Sequence, residues 1–133
     1  MMKAVKARVS RGLRVGSNIT CADNTGAKIL QIISVLGYKG VKRRQPSCGV
    51  ADVIKASVKQ GDIKIRKQVV NAVIVRQKAE YRRKEGLRVT FEDNAAILVD
   101  DNNEPRGTEV KGPIAREVIE RFTSISKVAS IVV

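Results

Sequence analysis

Apolar and polar residues alternate with period two along most of the chain, in short runs separated by Gly and polar turns. Val5, Ala7 and Val9 alternate with Lys6, Arg8 and Ser10, which predicts a basic strand near the start. Residues 19–22 form another run, closed by the turn sequence Asp23-Asn24-Thr25-Gly26. Residues 28–36 are rich in Ile and Val and end at Gly37. Ile54, Ala56 and Val58 alternate with Lys55, Ser57 and Lys59, and this run stops at Gly61-Asp62. Residues 69–75 are almost continuously apolar, the pattern of a strand buried on both faces. Leu87, Val89 and Phe91 alternate with Arg88 and Thr90, and residues 95–99 make a further apolar strand. About six strands with turns between them predict a mainly β fold, a small antiparallel barrel.

The period changes near the end of the sequence. After Gly112-Pro113, the residues Ile114, Ala115, Val118, Ile119 and Phe122 fall at helical spacing. Pro suits a first helical turn, where its missing N–H costs nothing. The spacing therefore predicts a helix over 113–121 that lays an apolar stripe on the barrel. Ile125, Val128 and Ala129 continue the pattern as a second short turn, giving a helical region over about 112–129. Without a repeat or a linker-like stretch, the 133 residues are expected to form a single domain.

Composition agrees with the β reading: Val and Ile number 32 and Leu only 5. The absence of His removes His-based acid–base chemistry, His metal ligation and His-activated nucleophiles. Tyr38, Tyr81, Phe91 and Phe122 are the only aromatic residues, too few for a surface that binds by stacking many bases. Cys21 and Cys48 fall short of a structural zinc set and are expected as free thiols in a reducing compartment. No apolar run approaches the ~20 residues of a membrane helix, so a cytoplasmic protein without membrane contact is expected.

Charge changes the picture more. The net charge is +13, which points to a polyanionic partner, most often nucleic acid. Residues 1–91 hold 21 cations and 5 acids, whereas residues 92–133 hold 5 cations and 8 acids. This split predicts two surfaces: a basic one for phosphate, and a mildly acidic one for protein or water. Two basic clusters stand out in the first part. The loop over 37–49 carries Lys39, Lys42, Arg43 and Arg44 and is long for a connection in a compact domain. The segment over 76–88 carries Arg76, Lys78, Arg82, Arg83, Lys84 and Arg88. Its two strand-like arms meet near Glu85-Gly86, predicting a hairpin that projects beyond the barrel. Arg guanidinium forks match phosphate oxygens two at a time. Tyr81 either stacks on a base or sugar there or packs across the strands.

Other signals carry less. Gly37-Tyr38-Lys39-Gly40 has a GxxG spacing, but that RNA-clamping motif must join two helices, and here a strand precedes it. Asn24-Thr25-Gly26-Ala27-Lys28 lacks the spacing of a phosphate-binding loop. The acidic pairs Glu92-Asp93 and Asp100-Asp101 suit solvated turns better than a metal site. No catalytic residue, cofactor or metal is expected. A free-standing single-strand binder with a similar barrel is disfavoured by the scarcity of aromatics.

Several segments together carry a family resemblance: residues 21–28 (CADNTGAK), 71–78 (NAVIVRQK), 81–86 (YRRKEG), 89–96 (VTFEDNAA) and 106–117 (RGTEVKGPIARE). In this order they resemble the universal family of the fourteenth protein of the large ribosomal subunit, in its archaeal and eukaryotic version. The likeness runs from about Gly12 to the end. In one detail the chain departs from the pattern: Glu85 precedes Gly86, where the family often has Asp, the better tight-turn residue. The resemblance implies a closed five-stranded antiparallel barrel with a projecting β-ribbon and short C-terminal helices. It implies a structural role on large-subunit (23S-type) ribosomal RNA, beside other large-subunit proteins. Bridges to small-subunit RNA and contact with an anti-association factor are implied as well. On this reading Lys39, Lys42, Arg43, Arg44, Arg76, Lys78, Tyr81, Arg82, Arg83, Lys84 and Arg88 meet RNA. Arg106, Lys111, Arg116, Glu117 and Arg121 are expected at protein or subunit contacts.

Overall fold

The computed structural model describes residues 4–5, 7–40 and 42–133. Lys3 and Lys6 of the basic start, and Val41 of the long loop, lie outside the described residues. In chain order the strands are β1 (Leu13–Arg14), β2 (Asn18–Cys21), β3 (Ala27–Val35), β4 (Ser47–Cys48), β5 (Val53–Gly61), β6 (Val69–Arg76), β7 (Tyr81–Arg82), β8 (Arg88–Val89), β9 (Ala95–Val99), β10 (Pro113–Ile114) and β11 (Ile131–Val132). The helix α1 (Arg116–Arg121) and a 3-10 turn over Thr123–Lys127 lie between β10 and β11. Strands β2, β3, β5, β6 and β9 close a barrel in that order. Four of its five pairings are antiparallel. The pair that shuts the barrel, β2 with β9, is parallel, with Thr20 opposite Ala95 and Cys21 opposite Ala96. The expected closed five-stranded barrel is present, and its strands are antiparallel except at this seam.

The barrel strands explain the apolar pattern face by face. Leu30 and Ile32 of β3, Ile54, Ala56 and Val58 of β5, Ala72 and Ile74 of β6, and Ala96 and Leu98 of β9 share the inner core. The alternate residues Val73 and Val75 of β6 and Ala95, Ile97 and Val99 of β9 belong to a second core outside the barrel wall. There Ile114, Val118, Phe122 and Ile125 cover them. Strands β6 and β9 are thus apolar on both faces because one fills the barrel and the other meets the C-terminal region. Each fully buried Ile, Val or Phe in that outer layer contributes roughly 1.5–3 kcal/mol of hydrophobic stabilisation.

Three local expectations change. The predicted strand over 5–9 is reduced, among the described residues, to a single bridge between Arg8 and Arg82. Pro113 does not open the helix, because Pro113 and Ile114 pair in parallel with Ile131 and Val132, and Ala115 takes the N-cap. The ribbon exists, but it is short: only Tyr81–Val89 and Arg82–Arg88 pair. Its turn falls where the sequence places it, with the Gly86 N–H donating to the Arg83 carbonyl at 2.9 Å. Gly86 sits at φ +91°, so glycine supplies the left-handed turn residue despite Glu85 before it.

A candidate nucleic-acid interface

Strand register brings the two basic clusters to one end of the barrel. The last residues of β3 pair with the first of β5, and the first of β5 pair with the last part of β6. The 37–49 loop leaves β3 and the ribbon segment leaves β6, so both depart from that end.

The N-terminal segment joins them. Arg8 pairs with Arg82 on the ribbon side, and Leu13–Arg14 pairs with Ser47–Cys48 on the loop side. Gln77 is the polar hub of this junction and is fully buried. Its Oε1 accepts the Val50 N–H at 2.8 Å, while its Nε2 donates to the Ser10 carbonyl at 3.2 Å and the Ala79 carbonyl at 2.8 Å. A buried amide with this many partners fixes three segments at once. Gly49 must be small here, since an added Cβ would lie 2.4 Å from the Ser10 carbonyl oxygen and 2.7 Å from the Gln77 Oε1.

This stitching produces a row of like charge. Arg8 is the bridge partner of Arg82, and Arg82 lies directly opposite Arg88, so three arginines stand side by side across three neighbouring segments. All three are exposed. Directly opposed like charges are destabilising in a sheet. Among the described residues Arg88 alone of the three forms an ion pair, with Glu80 at 3.2 Å, and that pair is solvent-exposed and weak. A row of this kind suits a surface neutralised by a polyanion. Further along the same end, the guanidinium of Arg11 lies 5.7 Å from the centroid of the Tyr38 ring. Arg11, Lys39 and Arg44 line one shallow depression. Lys42, Arg43, Lys78 and Lys84 are exposed as well. Arg8, Arg11 and Arg14 were visible in the sequence only as a basic start. Their membership of this surface depends on pairing that no periodicity displays.

Four of the predicted site residues, Arg76, Tyr81, Arg83 and Glu117, point inward, and for Tyr81 this is the packing alternative. Arg76 is 8% exposed; its Nε donates to Asp93 Oδ1 at 2.8 Å and its Nη1 to the Lys111 and Pro113 carbonyls. Arg83 is 7% and Glu117 2% exposed, with Arg83 Nε donating to Glu117 Oε1 at 2.6 Å. Arg83 Nη2 also donates to the Val133 carbonyl at 2.6 Å. Tyr81 is buried, and its hydroxyl donates to Glu117 Oε2 at 3.1 Å. Burial, then the Glu117 charge, pushes the Tyr81 phenol up to about 12. The hydrogen bond from Arg83 to Glu117 raises the arginine further above its ordinary value, so it stays charged. Arg76, Arg83 and Tyr81 therefore clamp the ribbon and β6 to the C-terminal region through internal hydrogen bonds. Glu117 accepts from both Tyr81 and Arg83 and completes the clamp. The ribbon is held at its turn end, where Arg83 meets Glu117 and Glu85 meets Arg116.

The remaining C-terminal cations differ in freedom. Arg106 and Lys111 are exposed. Arg116 is half-exposed between Glu85 at 3.3 Å and Glu120 at 3.7 Å. Arg121 turns partly inward, donating from Nη1 to the Ala51 carbonyl at 3.1 Å. Cys21 and Cys48 are free and buried, and burial pushes both thiols up to about 12. Among the described residues no group of three or more Cys, Asp or Glu is placed to hold a metal, and no helix is long and apolar enough to cross a membrane.

Comparison with known proteins meets this geometry directly. The sequence pattern of the family described as "Ribosomal protein L14p/L23e" matches residues 12–133. This chain belongs to the L14p/L23e family. Among its relatives, "Large ribosomal subunit protein uL14" of Methanoregula boonei is 54% identical over 132 residues, 99% of this chain and all of the relative. The protein of the same description from Halorubrum lacusprofundi is 56% identical over the same span, and that from Methanocella arvoryzae 52%. The resemblance seen in the sequence is thereby shown, with relatives in archaea. L14p/L23e proteins are structural ribosomal components and not enzymes. The family match covers the 37–49 loop, the ribbon and the C-terminal clamp, but begins after Arg8 and Arg11.

Proposed function

We propose that this L14p/L23e protein is a structural constituent of the large ribosomal subunit that binds its 23S-type RNA through the basic end of the barrel. The arginine row of Arg8, Arg82 and Arg88 carries this reading, because opposed like charges are tolerable where phosphates neutralise them. Arg11, Lys39, Lys42, Arg43, Arg44, Lys78 and Lys84 extend the same surface. Contacts are to the backbone and 2′-hydroxyls of folded RNA, recognised by shape. Counterions released from the crowded phosphates drive the association.

The mildly acidic C-terminal region faces other company. Arg106, Lys111 and the exposed face of α1 with Arg116 are proposed to meet neighbouring large-subunit proteins, small-subunit RNA at intersubunit bridges, or an anti-association factor. The Arg83–Glu117 clamp holds this region at a fixed angle to the RNA-facing end. Sedimentation tests the reading most simply. The tagged chain should travel with large subunits through a high-salt gradient, in a cytoplasmic extract. Release as a free protein at that salt would favour a free-standing nucleic-acid binder instead. Arg116→Glu should weaken subunit joining while leaving folding intact; equal loss of folding would refute a contact role for that face.

A further inference from the structure

Beside the cationic depression lies a second cleft of about 490 Å³, and the two share a wall made by Arg11, Gly37 and Tyr38. Their linings differ in kind. The first presents Arg11, Lys39 and Arg44. The second adds apolar Leu36 and Val53, the hydrogen-bonding groups of Asn71, Asp101 and Asn103, and Arg121, whose Nη1 is already engaged by the Ala51 carbonyl at 3.1 Å and by Asp52 at 3.6 Å. A cationic hollow next to a partly apolar, acceptor-rich cleft matches the two halves of a nucleotide, phosphate and base. The volume lies within the range of small-molecule sites.

We propose that this cleft takes one unstacked guanine nucleotide of the bound RNA, its phosphate on Arg11 and Arg44 and its base against Asp101 and Asn71; this rests on the RNA-binding reading above. The choice of base follows from the acceptors. Asn71 Nδ2 already donates to Asp101 Oδ1 at 3.3 Å, which leaves the exposed carboxylate with spare lone pairs and the Asn71 carbonyl free to accept. Guanine alone among the four bases presents two adjacent N–H donors on its Watson–Crick edge, the pattern a carboxylate accepts. Adenine, cytosine and uracil each set an acceptor beside their donor, and that acceptor would face the Asp101 charge. Unstacked bases read on this edge are the usual mode of sequence-specific RNA recognition. The guanidinium of Arg11, held over the Tyr38 ring, is a flat cation fixed on the shared wall. A protein arginine also has adjacent donors, but it would have to approach past Arg11, Lys39 and Arg44 on a chain of net charge +13.

The test uses the full chain, labelled for NMR, titrated separately with GMP, AMP, inorganic phosphate and N-acetylarginine amide. Binding to large-subunit RNA is measured in parallel. GMP should move the side-chain amide signals of Asn71 and Asn103, and Asp101→Asn should weaken GMP at least tenfold while leaving phosphate binding unchanged. If GMP, AMP and phosphate all perturb only the Arg11 and Arg44 region, the base site is refuted, while RNA binding stands on its own measurement. If N-acetylarginine amide moves Asn71 and Asn103 and GMP does not, the cleft serves a protein side chain and the proposal fails. No shift with any ligand also overturns it. Loss of RNA binding itself would instead strike the broader reading.

Discussion

Two adjacent residues, Arg82 and Arg83, have opposite fates. Arg82 is exposed in a row of like charges, and Arg83 is buried against Glu117. Removing one partner of a buried ion pair leaves the other charge uncompensated, so Arg83→Ala should cost about 3–5 kcal/mol in urea unfolding. Arg82→Ala should stay within about 0.5 kcal/mol of the parent chain. Similar losses for the two would refute the division. The sequence held a partial sign of it. Tyr81 and Arg83 fall on one face of a strand and Arg82 and Lys84 on the other. Glu117 lies three residues from Ile114 and five from Phe122, on the edge of the apolar stripe of α1. What periodicity could not show is that these two faces meet. The clamp also gives a pH dependence. Because the folded Tyr81 phenol is raised from 10 to about 12, the unfolded chain loses that proton first as pH rises. Stability present below pH 10 therefore declines across pH 10–12, with a contribution of about 3 kcal/mol from this group. The stability gap between the parent and Tyr81→Phe should close over that window; a constant gap would contradict the buried placement.

Elements were legible where one local pattern decides them. The run over 69–75 became β6 because both of its faces are buried, and the alternation from Ile54 became β5. Gly86 made its turn through backbone freedom alone. Elements that depend on distant partners are not legible in a local pattern. Pro113 suited a helix start, but pairing with Ile131 recruited it to β10 and delayed α1 to Arg116. The alternation over 5–9 is real, yet the segment near Arg8 is held by one bridge and by the Gln77 side chain, 67 residues from Ser10. Gly49→Ala tests that junction. Its Cβ would collide with the Ser10 carbonyl and Gln77 Oε1, so it should destabilise the chain by at least about 1 kcal/mol and speed amide exchange around Ser10 and Val50. Unchanged exchange there would show that the N-terminal segment is held by something else.

For the molecule as a whole, the barrel fixes two long connections at one end, the N-terminal segment ties them together, and the clamp sets the C-terminal region beside them. The uneven charge of the sequence anticipated two surfaces but not which cations reach solvent. Arg76 and Arg83 of the two basic clusters are buried, whereas Arg8 and Arg11 of the N-terminal segment are exposed alongside Arg82, Arg88 and the loop cations. The central claim is that a row of exposed arginines neutralises RNA phosphates. Its most direct test is the salt dependence of binding between the full chain and large-subunit RNA, compared with an Arg8→Ala, Arg82→Ala, Arg88→Ala triple variant. Each lost phosphate contact lowers the slope of log K against log salt by about 0.7–0.9. The account predicts a folded variant whose slope is shallower by about 2–3; a slope and affinity equal to those of the parent chain would contradict it.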